Sequence, residues 1–292
     1  MGVLQNKIDF TLLITAKNAN PNGDPLNGNR PRENYDGLGE ISDVCIKRKI
    51  RNRLQDMGER IFVQSDDRCD DGFDSLRARA EGDKELEGFI KDGDDRAFYE
   101  KSCEKWIDVR SFGQVFAYKG KNAKEKGVSI GVRGPVSIHQ AFSVSPVEII
   151  SMQITKSVSG EKNENGAKKA SDTMGMKHRV EFGLYVINGS INCQLAEKTG
   201  FTDEDAEKIK QALLTLFEND TSSARPDGSM EVCCLYWWKH EGKTPKYSSA
   251  KVHRQLEVKL KEGVSRPASF CDYDVKLNEL DGLSCEKYED LI

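Results

Sequence analysis

The sequence predicts an α+β fold with its core elements in the order βαββαβ, and three observations predict it. Ile8-Asp9-Phe10-Thr11-Leu12-Leu13-Ile14-Thr15 and Val180, Phe182, Leu184, Val186 alternate with period two, as half-buried strands do. Ile46, Ile50, Leu54 and Met57 recur at i, i+4, i+8 and i+11, one stripe of an α-helix, and Ala206, Ile209, Leu213 and Leu216 form a second such stripe. Glu231 to Trp238 is a strongly apolar strand that closes the series.

Taken in order, the first strand leads into a loop, Asn18 to Gly39, dense in Asn, Gly and Pro. It contains Asn20-Pro21-Asn22-Gly23-Asp24-Pro25 and Asn29-Arg30-Pro31-Arg32. A connection of about 20 residues is longer than ordinary loops and is usually functional or disordered. Ser42 or Asp43 caps the helix that runs to about Met57. Residues 58–105 are acidic, rich in Gly and Asp and weakly periodic, and read as an insertion. Patterning returns at 106–116, extended segments fill 136–155, and 156–177 is polar, rich in Gly and Lys, and reads as a projecting loop or hairpin. Asn188-Gly189 predicts a hairpin turn with a return strand at 190–196. Thr202 with Asp205 predicts a capping box for the second helix.

This order is the ferredoxin-like or RRM arrangement, interrupted after its first helix. Two helices on one face of the sheet leave the other face free, and in RRM-type modules that face binds single-stranded RNA.

The 292 residues carry 44 Lys+Arg and 48 Asp+Glu, a formal net charge of −4. That balance conceals an asymmetry. Residues 64–108 hold 15 acids and 8 bases, and 272–292 hold 7 acids and 2 bases; the remainder has 34 bases and 26 acids. An acidic chain can therefore still present a local positive field to a polyanion. The first helix is its densest point: Lys47, Lys49, Arg48, Arg51 and Arg53, with no acid between Asp43 and Asp56. Arg30 and Arg32 stand nearby in sequence, and Lys156, Lys168 and Lys169 lie in the projecting segment. Lys and Arg contact a phosphate backbone without reading its sequence.

Enzyme signatures are absent: no HExxH, GxSxG, Walker loop or GxGxxG after a strand. The eight Cys form no CxxC pair, and the four His (139, 178, 240 and 253) stand apart, so no metal site and no cofactor is expected. Acidic pairs such as Asp66-Asp67 and Asp94-Asp95 match no calcium-loop spacing. Arg110-Ser111-Phe112-Gly113-Gln114-Val115-Phe116 matches an RNA-binding strand motif only in part. No apolar run reaches the ~18–20 residues of a membrane span, and no signal-peptide pattern opens the chain, so a cytoplasmic protein is expected.

Asn20 to Pro25, Arg30-Pro31-Arg32, Ser42 to Arg51, Val109 to Val115, Gly134-Pro135-Val136, Gly183-Leu184-Tyr185 and the 203–218 helix together resemble one family. It is the crRNA-binding backbone (filament) subunit of type I CRISPR Cascade complexes, a branch of the RAMP proteins, with subtype I-C the most similar. The likeness covers most of 1–240 and fades in 250–292. It implies an RRM-like RAMP core with finger and thumb insertions: palm halves at 1–57 and 178–240, a finger-type insertion with connecting strands at 58–135, palm strands at 136–155, a thumb-like loop at 156–177 and a C-terminal extension at 241–292. It further implies a non-catalytic subunit that oligomerises head to tail along a guide RNA and presents it for pairing with target DNA in antiviral defence. Its other partners would be a large PAM-reading subunit and a pre-crRNA-processing subunit. By position, Lys47, Arg48 and Arg51 would grip guide phosphates, with Lys49, Arg53, Arg30 and Arg32 beside them. Two alternatives stand beside this: a RAMP endoribonuclease using Asp24 or Asp36 in the first loop, and a stand-alone RRM-like RNA binder.

Overall fold

A computed structural model describes residues 2–121, 125–155, 174–289 and 291. The first strand, β1 (Ile8–Ala19), leads to a small hairpin of β2 (Gly23–Asp24) and β3 (Arg30–Pro31), then β4 (Leu38–Ile41) and the long helix α1 (Asp43–Asp56). The insertion contains α2 (Leu76–Glu81), α3 (Lys84–Asp92), α4 (Asp95–Lys105), α5 (Ile107–Phe112) and a ribbon of β5 (Gly113–Tyr118) and β6 (Val128–Arg133). The chain returns through β7 (Val136–Ile138), β8 (Ala141–Pro146), β9 (Ile149–Thr155) and the 18-residue β10 (Met174–Ile191). Next come α6 (Cys193–Thr199), α7 (Asp203–Leu214) and β11 (Met230–Lys239). The C-terminal segment holds α8 (Ser249–His253), β12 (Leu256–Leu260), β13 (Tyr273–Leu277) and β14 (Cys285–Tyr288).

The principal sheet runs β14-β11-β1-β10-β8-β4, with β7 and β9 also paired to β10, and every pairing is antiparallel. β1 is central and buried on both faces, because its two side-chain rows enter different cores. Ile8, Phe10, Leu12, Ile14 and Ala16 face a layer made by α1 and α7, where Phe10 stacks on Trp237 with centroids 5.4 Å apart. Ile46, Ile50 and Leu54 of α1 and Ala206, Ile209 and Leu213 of α7 supply the helical side. Each such large side chain contributes about 1.5–3 kcal/mol on full burial. Ser42 caps α1 through the Cys45 N–H (3.3 Å), and the Thr202–Asp205 capping box of α7 forms as the sequence predicts.

The middle strands differ from the sequence expectation. Asn188-Gly189 is not a turn: β10 runs straight through it to Ile191, and 193–196, the end of the expected return strand, lie in the helix α6. The β-hairpin partner of β10 is instead the 136–155 segment. Two contacts explain the dipeptide. Asn188 Oδ1 accepts the Thr11 hydroxyl at 2.7 Å, and a Cβ on Gly189 would lie 2.2 Å from the Phe10 ring. Gly189 is thus a close-approach glycine rather than a turn glycine.

The second face of the sheet is not free. Leu13, Phe182, Leu184, Tyr236 and Trp238 pack against Val252, Tyr273 and Leu283 of the C-terminal segment. Residues 249–288 form a third layer over the face that an RRM would offer to RNA.

The insertion has its own aromatic core. Phe62, Phe98, Trp106 and Phe116 are all buried, with Phe62 4.6 Å from Trp106 and Phe98 edge-on to Phe116 at 5.0 Å. Its weak periodicity has a simple cause: helices of 6–11 residues are too short to display one. Part of its acid content is capping, since Asp83 and Asp94 accept the first free N–H groups of α3 and α4. The partial RNA-binding motif at 110–116 is divided between α5 and β5 and belongs to this core.

Candidate nucleic-acid interface

The first loop is built onto the N-terminus of α1 by the residues of its own motif. Asn20 Nδ2 donates to the Asn29 carbonyl (2.7 Å), closing the loop on itself. Asn22 Oδ1 accepts both the backbone N–H and the hydroxyl of Ser42, each at 2.9 Å. A side chain at position 23 would strike Asn29 Oδ1 at 2.0 Å, which requires Gly23. Asp24 accepts the Leu26 N–H (3.2 Å) and lies 3.4 Å from Arg32 Nη2. The Asn-Pro-Asn-Gly-Asp-Pro run therefore specifies a rigid loop docked on a helix end.

Around that end, cations outnumber the acids bound to them. Lys49 and Arg225 both converge on the single carboxylate of Asp220, Arg225 Nε at 3.1 Å. Lys49 is 4% exposed and lies over the Phe217 ring at 5.4 Å. Burial pushes its ammonium below the usual lysine range, more than Asp220 restores it. Arg32 has an Nε that is buried without a partner. The charges of Lys49, Arg225, Asp220 and Arg32 all reach the Cys45 thiol, whose pKa is raised mainly by its burial.

The helix bases are not one solvated face. Acids from distant parts of the chain engage most of them. Arg51 Nε donates to Asp108 Oδ2 (3.0 Å), Asp108 is fully buried, and the Arg51 guanidinium lies over Phe112 at 5.0 Å. Arg53 bonds Thr215 (2.7 Å) and Glu218, and Lys49 is committed to Asp220 as described. These three hold α1 to the insertion and to the α7–β11 connection. Among the described residues Lys47 pairs only with the half-exposed Asp43 of its own first turn (2.9 Å). Arg48 donates to the Val63 carbonyl (2.6 Å), an uncharged acceptor; burial, then the neighbouring Arg51 charge, lowers its pKa.

Arg30 reaches the foot of the β9–β10 ribbon: its Nη1 lies 3.1 Å from Ser151 Oγ, which is 2.8 Å from His178 Nδ1. Its acid partner, Glu33, is 3.9 Å away. Lys156, Lys168 and Lys169, and the thumb-like segment from 156 to 173, lie outside the described residues; 174–177 are the start of β10. Sequence reasoning missed Arg225. Its only signal is an Arg-Pro-Asp-Gly turn, and nothing in that turn announces that it folds back on α1.

The two acids considered for catalysis are not brought together with a base. Asp24 is occupied by Leu26 and Arg32, and Asp36 stands in a surface turn without an ion pair among the described residues. Among the described residues no cluster of three His, Cys, Asp or Glu side chains has metal-site geometry. No described helix is long and apolar enough to cross a membrane.

A family model described as CRISPR-associated protein Cas7 matches residues 6–278. A curated relative, CRISPR-associated protein Cas7 of Haloferax volcanii, is 27% identical over 235 residues. That match covers 75% of this chain and 66% of the relative, just under two thirds of its length. A solved chain from a "CRISPR RNA-guided surveillance complex, pre-nicking" shares the fold with a TM-score of 0.52 at 15% identity, covering 89% of this chain and 84% of that one. A second, from a "CRISPR RNA-guided surveillance complex", has a TM-score of 0.46 at 17% identity, covering 82% and 72%. With a family match that spans nearly all of the described fold, the chain belongs to the CRISPR-associated Cas7 family.

Proposed function

We propose that this chain is a crRNA-binding backbone subunit of a type I Cascade complex. Copies stack head to tail along the guide and present it for pairing with target DNA, beside a large PAM-reading subunit and a pre-crRNA-processing subunit. Family membership supports the class of function. The observation that carries it to a place on the molecule is the convergence of Lys49 and Arg225 on one carboxylate, beside Arg32, at the capped end of α1. Two cations sharing one acid leave a surplus positive charge, and a phosphate is the complement of that surplus.

In this reading Lys47, Arg48, Arg30, Arg32 and Arg225 meet guide phosphates. Lys47 can exchange an exposed carboxylate for a phosphate at little cost, since such surface pairs contribute only about 0–1 kcal/mol. Lys49, Arg51 and Arg53 hold the helix in place for them. Lys156, Lys168 and Lys169 are further phosphate contacts in this reading. The role is non-catalytic, with Asp24 spent on the loop's own architecture. Closure of the sheet face by the third layer weighs against the stand-alone RRM-like binder.

The test is RNA copurification. The unsubstituted protein should carry repeat-containing RNA, and a Lys47→Glu/Arg48→Glu variant should lose it while remaining folded by circular dichroism. Retention of that RNA at moderate salt would overturn the placement.

A further inference from the structure

The first loop ends in two apolar tips that touch nothing. Leu26 is 98% exposed on the β2–β3 hairpin, and Tyr35 is fully exposed on the turn that precedes β4. Neither tip is slack. Asn34 Oδ1 accepts the N–H groups of Asp36 (3.0 Å) and Leu38 (2.9 Å), and Gly37 at φ +75° accepts from the Val147 N–H (3.0 Å). The backbone that carries Tyr35 is thus fixed, so that only the side chain has to be ordered when its ring is covered. The tips are also acidic. Residues 20–41 carry Asp24, Glu33, Asp36 and Glu40 against Arg30 and Arg32. Asp36 has no ion pair among the described residues, so a phosphate chain would be repelled there.

A complementary surface exists on the same chain. The inner row of the β5–β6 ribbon, Phe116, Val128 and Val132, enters the aromatic core. The outer row is open: Val115 is 72% exposed, Ala117, Ser129 and Arg133 are exposed, and a Cβ on Gly131 would meet nothing. Arg133, on this row, and the exposed Lys119, just past the end of β5, have no ion-pair partner among the described residues. The face is flat, weakly apolar and basic.

The two surfaces are carried by different parts of the chain that α1 joins. Asn22 and Ser42 fix the tips at its N-terminus, while its C-terminus enters the insertion that carries the ribbon. Two unlike surfaces of one molecule make a heterologous contact, which propagates into a filament wherever its rotation does not close a ring. We propose that the Leu26 and Tyr35 tips of one copy dock on the outer face of the β5–β6 ribbon of the next, with Asp36 and Glu33 facing Arg133 and Lys119. The occupant is a second copy of this chain, named by charge complementarity; the proposal rests on the filament reading above.

Charge reversal tests it. Asp36→Lys and Arg133→Glu are each expected to weaken cooperative assembly on a long guide RNA about tenfold or more, as seen by sedimentation and electron microscopy. Combining them in one chain should restore assembly, and Tyr35→Ala should weaken it alone. Binding to an RNA of one-subunit length should be unchanged in all four variants. Normal assembly by both single variants, or a double variant no better than either, overturns the interface. Loss of short-RNA binding by Tyr35→Ala overturns it in favour of a direct RNA contact. Failure of the unsubstituted protein to bind the short RNA would instead overturn the filament reading itself.

Discussion

Arg51 and Asp108 join α1 to the insertion across 57 positions of sequence, Nε to Oδ2 at 3.0 Å. The carboxylate is fully buried and has no spare oxygen: Oδ1 accepts the Phe62 N–H (2.7 Å), and Oδ2 also accepts the Val63 N–H (3.1 Å). Arg110, two residues on, makes a second such link, with Nη2 2.7 Å and Nε 2.9 Å from the two oxygens of Asp205 on α7. The insertion is thereby clamped to both helices of the core.

Removing Asp108 should be severely destabilising. Asp108→Ala strands a buried guanidinium and two backbone N–H groups, and should cost about 3–5 kcal/mol. Asp108→Asn keeps one acceptor and should cost less. Chemical denaturation of the two variants checks both the size and the order.

Lys47 and Arg48 should behave oppositely. Replacing both by Glu leaves Ile46, Ile50 and Leu54 untouched but removes the Arg48 bond to the Val63 carbonyl, so the chain should stay folded with a somewhat lower melting temperature while RNA affinity collapses. Each phosphate contact to a single strand contributes about −0.7 to the slope of log affinity against log salt. Replacing both by Gln should therefore flatten that slope by about 1.4, read from binding isotherms at several salt concentrations.

Gly189→Ala should destabilise the sheet, by about 1–3 kcal/mol for an overpacked site. The added carbon would overlap the Phe10 ring, which backbone on both strands holds in place. Pairing it with Phe10→Leu should recover part of the loss. A glycine needed only for a turn would show no such coupling in a double-mutant cycle.

The third layer should loosen in acid. His253 is buried on α8, donating from Nε2 to the Gly189 carbonyl (3.1 Å), and its pKa is lowered chiefly by burial. Asp9 faces it as an attractive charge; His139 and Lys7 face it as repulsive ones. A histidine with a depressed folded pKa binds fewer protons folded than unfolded. Stability is therefore complete above about pH 6.5 and falls as pH drops below it. Asp9 adds a second, lower phase. Burial opposes its charge, but hydrogen bonds from His240 (2.8 Å) and Lys7 (2.6 Å) outweigh burial and lower its pKa. Its contribution is lost only as pH falls through the carboxylate range and below. With the slower intrinsic exchange in acid divided out, the hydrogen-exchange protection of 249–288 should fall from pH 7.5 to 5.5 in the native protein and fall less in His253→Gln.

The sequence by itself determined the local structure wherever a long periodic signal or a cap was present. β1, α1, α7 and β11 follow from their apolar spacing, and the start of α7 from the Thr202–Asp205 pair. The first-loop motif likewise declared itself, because its Asn, Gly and Asp residues act on near neighbours. The tertiary structure decided what depends on residues far apart. Whether a base on α1 is free or engaged was settled by Asp108, Glu218 and Asp220, between 57 and 171 positions away. Whether Asn188-Gly189 turns was settled by the Phe10 ring, and whether the second sheet face is open was settled by the last 40-odd residues folding back over it. A helix's spacing shows which side chains point outward; the charge that meets them comes from wherever the fold brings the rest of the chain.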